Sequence, residues 1–444
     1  MTLVRFSSMV VLASIASQIR ADDWPQWGGP RRDNVWRETG ILKKLPSEMK
    51  AKWRTPINMG YAGPAVAGGK VFVTDRTLGE GSENPVNPFS KSPVTGSERV
   101  LCLDADTGKE LWKHEYPCTY TVSYPNGPRA TPTVDGDRVY TLGTMGDFFC
   151  LNAADGKVIW SKNFLKEFRG TLNTWGFSSA PLIDGDNVIC IAGGRDGACV
   201  VAFDKLKGDV RWKSMDAKDF GYCPPIIIEA GGTRQLIIWT PEEVASLNPK
   251  DGDVYWKEEF PLKAGLAIPT PIHDKERNLL FITSFYNGPI MFDLDPKKPA
   301  AKVRWRGTSQ SELRTDKLHA IMCTPQFWEG HIYGVCSYGQ LRCLKADDGS
   351  RLWETLEATG KARWWNAFLV RNEDRFFLAN EQGELLLATL SPKGYVERGR
   401  FKMLEPTTPL ERSRKIVWSH PAFANRSVYA RNDKEIVCYD LADR

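Results

Sequence analysis

Leu103-Asp104-Ala105-Asp106-Thr107-Gly108-Lys109-Glu110-Leu111-Trp112 is one version of a phrase that recurs along this chain. It returns as Leu151–Gly156 with Trp160, Phe203–Gly208 with Trp212, Leu247–Gly252 with Trp256, and Leu344–Gly349 with Trp353. Each time the Trp stands four residues after the Gly. A period of roughly 40–50 residues means one supersecondary unit repeated around or along an axis. The repeat is therefore scaffold, and function is to be sought where the chain departs from it.

Each unit reads the same way. Thr131-Pro132-Thr133-Val134 is a Pro-marked apolar run, and Asp135-Gly136 turns into the alternating segment Arg138–Leu142. A turn near Gly146 leads to Phe148–Leu151, and Asp155-Gly156 turns into Lys157–Trp160. Four short strands split by Gly-containing turns form a meander. A lone sheet cannot bury the large flat Trp on its last strand, but a neighbouring sheet can. Four-stranded units around a ring make an all-β propeller. First strands at Gly63-Pro64, Thr131-Pro132, Ala180-Pro181, Pro224-Pro225, Thr270-Pro271, Thr324-Pro325, Asn366-Ala367 and His420-Pro421 predict eight blades. The fifth is loose, with Ala301 where Gly is expected before Trp305. The seventh is degenerate, with Arg398 in the Trp place. The eighth, ending at Ile436–Leu441, is one strand short. Ala51–Thr55 is expected to supply that strand and close the ring, leaving no open edge. A seven-bladed ring with an N-terminal arm is the alternative.

The phrase at Leu103–Trp112 resembles the tryptophan-docking repeat of the pyrroloquinoline-quinone (PQQ) propeller superfamily. That superfamily includes quinoprotein alcohol dehydrogenases and the periplasmic propeller of the outer-membrane protein assembly machinery. Asp23-Trp24-Pro25-Gln26-Trp27-Gly28-Gly29-Pro30 also resembles the opening of many secreted bacterial PQQ-like proteins. The resemblance is specific for fold and not for activity. It divides the chain into a leader over 1–21, an N-terminal segment over 22–50 and the propeller over 51–444.

Arg5 followed by the apolar run Phe6–Ala16, with Ala21 at a cleavage position, reads as a secretory leader. A periplasmic or secreted protein is expected, the alternative being a frayed cytoplasmic N-terminus. With no Cys near residue 21, a lipid anchor is not expected. The formal charge of +5 is too balanced to argue for nucleic acid, and two of those charges, Arg5 and Arg20, would leave with the leader. No later apolar run is long enough to span a bilayer. Of ten cysteines, Cys102, Cys150, Cys343 and Cys438 share one third-strand slot, a packing position for a small apolar side chain. Cys190 and Cys199 flank a hairpin and could pair across it.

Signatures of hydrolases, zinc proteases and phosphate loops are absent. Asp104/Asp106 and Asp293/Asp295 look like calcium-loop fragments but lie at repeat turns, where a turn role explains them. In the quinoprotein dehydrogenases the resemblance places a quinone on the axis, between a Trp and a disulfide of adjacent cysteines, with a calcium ion. This chain has no Cys-Cys pair, and no motif nominates Glu381 or Asp147 as calcium ligands. No cofactor and no metal are therefore expected; PQQ with calcium belongs to the dehydrogenase alternative.

The departures from the repeat lie in the loops that end one blade and begin the next. They hold Tyr120–Arg129, Thr174–Phe177, Phe220–Tyr222, His319, Arg363–Asn366 and Trp418–His420. On a propeller such loops gather at one mouth of the central channel. Arg129, Trp175, Arg195, Tyr222, His319, Trp365, Asn366 and His420 are the candidate ligand-binding residues, with Arg363 and Arg431 adding positive charge. Trp112, Trp160, Trp212, Trp256, Trp305 and Trp353 are assigned to structure. The insertion Arg76–Arg99, rich in Gly, Pro, Ser and Asn, is expected to cover the rim as a loop or lid. The expected function is non-catalytic binding, by a monomer, of an envelope protein or a polysaccharide. A PQQ-dependent oxidoreductase and a polysaccharide hydrolase or lyase are the alternatives.

Overall fold

The computed structural model describes residues 23–410 and 414–444; the expected leader lies outside the described residues. The molecule is an eight-bladed propeller. Seven blades are four-stranded antiparallel meanders in sequence order, over residues 65–117, 133–163, 182–214, 226–259, 272–306, 326–355 and 367–402. The eighth joins Ala422–Ala424, Ser427–Arg431 and Glu435–Asp440 to the N-terminal strand Trp53–Pro56. Trp53 lies opposite Cys438 and Pro56 opposite Glu435. The closing strand thus begins two residues later than the sequence suggests. No described helix is long and apolar enough to cross a membrane.

The repeat phrase makes the joints between blades. Asp104 Oδ1 accepts from the amides of Asp106 and Thr107 and from the Thr107 hydroxyl, which fixes the turn. Gly156 then sits at φ +74°, and a Cβ there would lie 2.4 Å from the ring of Trp112 in the preceding blade. Only glycine satisfies both demands. Trp112 Nε1 donates to the Ala153 carbonyl at 3.1 Å, in that same turn. Trp160 and Gly208, Trp212 and Gly252, and Trp305 and Gly349 repeat the ring-on-glycine contact. The eighth blade makes the same contact with Trp53 of the closing strand. This Trp packs on Gly108 and donates to the Ala105 carbonyl at 2.9 Å. Sequence reading found this strand but not the docking role of its Trp, because no repeat phrase precedes it.

The joint fails where the phrase fails. With Ala301 replacing Gly in the fifth blade, Trp256 turns its Nε1 to Gln235 Oε1 of its own blade. Beside the seventh blade, whose last strand carries Arg398, the N-terminal segment takes over. Leu45 donates its amide to the Arg398 carbonyl and packs against Gly399. Trp24, Trp36, Ile41 and Leu45 join the core shared by the first, seventh and eighth blades.

The cysteines are free and buried. Cys102, Cys150, Cys343 and Cys438 each stand opposite a docking Trp, namely Trp112, Trp160, Trp353 and Trp53. A small side chain there leaves space for the indole. Cys190 and Cys199, which flank the hairpin, are not paired: Cys190 faces Val201, out of register with Cys199.

Candidate functional site

The loops that join one blade's outer strand to the next blade's inner strand converge on a funnel of about 370 Å³. Every joint contributes. Tyr61, Tyr124, Trp175 and Tyr222 line one side, Leu266, Ile268 and Ile321 another, and Trp364, Trp418 and His420 complete the wall. The backbone at these places is built for the turn: Tyr124 and Trp364 have φ of 56° and 63°, an unusual conformation for a bulky residue.

The N-terminal segment closes the other end. Trp24 exchanges backbone hydrogen bonds with Val66, and the Pro25 carbonyl accepts from Val134. Arg32 reaches the carbonyls of Ala180 and Pro181 at 2.9 and 2.7 Å, and the Asn34 carbonyl accepts from Arg371. The segment therefore crosses from the first three blades to the seventh. Burial pulls the Arg32 guanidinium down to about 9, so its carbonyl bonds do the work of solvation. Trp27 forms the funnel floor and donates from Nε1 to Thr270 Oγ1 at 2.8 Å. A through-channel becomes a blind pocket.

The two arginines of the wall differ. Arg129 donates to the carbonyls of Gly127, Ser123 and Tyr124 and lies 5.1 Å from the Tyr61 ring centre. Arg363 pairs with Glu312 at 2.7 Å and stacks 4.4 Å from Trp364. Burial pushes the phenols of Tyr61 and Tyr222 up, so both stay protonated. Burial also pulls His420 down to about 4. It is neutral at pH 7, sits 5.0 Å from Trp27, and its Nε2 has no hydrogen-bond partner among the described residues.

Behind the wall lies Glu381. Its Oε2 accepts from Trp418 Nε1 at 3.1 Å, and its Oε1 is 3.4 Å from Arg414 Nε. Burial raises it to about 7 despite both partners.

Of the residues singled out in the sequence, the funnel gathers Arg129, Trp175, Tyr222 and His420, together with Arg363. Trp365 turns away into the protein and Trp364 takes the wall. Asn366 is buried and accepts at Oδ1 from Cys323. His319 is sealed between Asp316 and the Phe285 carbonyl, and burial lowers its pKa. Arg195 lies in a separate polar hollow with Asp216 and Glu242. Arg431 is fully buried and holds the carbonyls of Thr74 and Asn58. Arg76 and Arg99 belong to strands, so the rim insertion is 79–95. Its Phe89 reaches the funnel mouth. The sequence placed the loops of Tyr124 and Trp364, and the insertion of Phe89, at this mouth without naming these residues as contacts; it missed Trp27 and Tyr61, which only ring closure brings there.

No Asp, Glu or Asn is among the funnel's lining residues. Among the described residues no group of His, Cys, Asp and Glu is arranged to hold a metal ion. The donor set therefore does not fit a calcium–quinone pair, which needs carboxylate and amide oxygens at the axis. Nor does it offer the paired carboxylates of glycoside cleavage. What the funnel offers is apolar and aromatic surface, tyrosine hydroxyls and two guanidinium groups.

A family model described as "Outer membrane protein assembly factor BamB" matches residues 96–300 and 297–444. The chain belongs to this PQQ-like, BamB-type propeller family. It is 27% identical over 191 residues to the quinohemoprotein alcohol dehydrogenase ADH IIB of Pseudomonas putida, a stretch covering 41% of this chain and 25% of that enzyme. BamB from Moraxella catarrhalis superposes with a TM-score of 0.56 at 14% identity, covering 88% of this chain and 98% of that one. Quinohemoprotein alcohol dehydrogenase from Comamonas testosteroni superposes at 0.63 and 12% identity, covering 97% and 82%. At such identities the superpositions speak for the fold alone.

Proposed function

We propose that this chain is a non-catalytic binding propeller, secreted or periplasmic, that holds part of an envelope protein or polysaccharide in its axial funnel. The observation that supports the reading is the lining itself: loops at every blade joint supply aromatic and apolar side chains to one blind pocket that carries no carboxylate. Large aromatic side chains and arginine dominate binding hot spots. The lining holds no carboxylate, and His420 is the one imidazole among its residues. Immobilised protein exposed to defined oligosaccharides and to aromatic-containing peptides tests the reading. Saturable binding that is lost in Trp364→Ala, with an unchanged melting transition, is the expected result. Binding that survives this substitution moves the site off the funnel. Incubation with PQQ and calcium is expected to give no dye-linked alcohol oxidation; activity would restore the dehydrogenase reading.

A further inference from the structure

The mouth of the funnel already holds an aromatic side chain, supplied by the chain itself. The insertion 79–95 brings Asn87-Pro88-Phe89-Ser90 along the rim. Tyr124 donates its amide to the Pro88 carbonyl, and Ser123 Oγ donates to the Phe89 carbonyl at 3.1 Å. The Phe89 ring stands edge-on to Tyr124 at 5.1 Å and to Trp364 at 6.3 Å, the spacings of favourable aromatic pairs. Lys91 Nζ adds a contact 3.4 Å from Thr174 Oγ1. Main-chain hydrogen bonds along the segment, with a side chain in a pocket, are how extended peptides are recognised.

The grip is shallow. Phe89 is 42% exposed and Val86 is fully exposed. The strap is anchored at its roots by the strand pair Leu78 and Gly96, by the Val94–Tyr120 backbone pair, and by Asn84, which donates to Asn126 Oδ1 at 3.1 Å; displacement therefore concerns the tip around Phe89. Beneath Phe89 the walls at Trp175, Tyr222 and Ile321 and the floor at Trp27 still enclose space.

Taking the funnel as the binding site, as proposed above, we infer that residues 79–95 form a displaceable strap. The guest is an aromatic side chain carried on an extended segment of a partner polypeptide. It docks on the Tyr124 amide and the Ser123 hydroxyl once Phe89 leaves, and its ring goes deeper than Phe89 does. The strap is then an internal competitor. Its short tether gives it a high effective concentration, which keeps weak guests out.

The segment supplies its own probe: a labelled peptide of residues 83–93, followed by fluorescence anisotropy. Phe89→Ala is expected to bind this peptide about tenfold tighter than the unaltered protein, because the tethered competitor is gone. A peptide with Ala in place of its Phe should not bind, and Trp364→Ala added to Phe89→Ala should abolish the gain. A second variant, with residues 83–92 replaced by two glycines, should show the same gain. Equal peptide affinity in the unaltered protein and in both variants, with unchanged melting transitions, overturns the strap. If the variants bind oligosaccharides but no peptide, the funnel stands as a binding site and the polypeptide guest falls. If neither class binds any form, both readings fall.

Discussion

The blade joints and the axial funnel use the same residue type in opposite ways. At the joints one contact is repeated: Trp112 on Gly156, Trp160 on Gly208, Trp53 on Gly108, with most of these indoles donating to a carbonyl of the neighbouring turn. In the funnel the joints agree only in part. Tyr61, Tyr222 and Trp418 each stand four residues before their inner strands, which begin at Ala65, Ile226 and Ala422, whereas Trp175 and Trp364 reach the wall from other offsets. A repeated contact needs only a local phrase and an identical neighbour. A unique pocket needs the ring closed first, because its members lie hundreds of residues apart. Variation is therefore tolerated at the rim and not at the joint, which is where a repeat architecture places its binding surface.

The comparison breaks most severely if the ring opens. Ending the chain after Asp433 removes Glu435–Asp440 and leaves Trp53–Pro56 and Ser427–Arg431 without their shared partner. Loss of cooperative unfolding is expected in a thermal melt followed by circular dichroism. An unchanged transition would show that the eighth blade does not close the fold.

A single joint is the next test. Trp112→Ala should cost roughly 3–5 kcal/mol in denaturant unfolding, the range for truncating a buried large aromatic. Gly156→Ala should cost about 1–3 kcal/mol, because its Cβ would meet that same ring. Guest affinity of either folded variant should stay put. A stable Trp112→Ala would mean the joint is not where stability resides.

Glu381 links the two regions, since it is buried beneath the wall residue Trp418. Its carboxyl, raised to about 7 by burial, keeps a proton that the unfolded chain loses near 4.5. The folded form binds more protons in that window, so raising the pH through it destabilises the protein. Between pH 5 and pH 8 the unaltered chain should lose up to roughly 3 kcal/mol relative to Glu381→Gln. Parallel stability curves for the two proteins would show that Glu381 is already ionised throughout.

The smallest effects should separate neighbours within the rim. Trp175→Ala should weaken guest binding by about 1–3 kcal/mol with little change in melting. Trp365→Ala should do the reverse, since Trp365 packs on Gly339 and Gly360 away from the cavity. Paired titrations and melts decide this. Matching behaviour of the two tryptophans would erase the distinction between wall and core.

Much of this architecture was legible as text. The Gly-to-Trp spacing announced the blades, and the missing strand announced the closure, because both are consequences of local periodicity. Two of the faults were readable, since Ala301 and Arg398 mark joints where docking changes; a third was not, because Gly394 is kept and yet nothing packs on it, while Trp353 still donates to the Ser391 carbonyl. The rim was legible only as a region. Tyr222 and His420 reach the funnel, whereas His319, from the corresponding loop two blades before His420, is sealed beside Asp316. Which way a loop residue turns depends on the neighbouring blade, and no period records that.

The sequence by itself determined the repeated unit, pointed to eight of them and marked the indoles that need a neighbouring sheet, since each follows from strand alternation, glycine turns and an indole that needs cover. Tertiary structure alone decided that Trp27 of the N-terminal segment floors the funnel, that Trp364 and not Trp365 faces it, and that Phe89 enters its mouth. These contacts join distant parts of the chain, and they exist only after the ring has brought both ends to one axis.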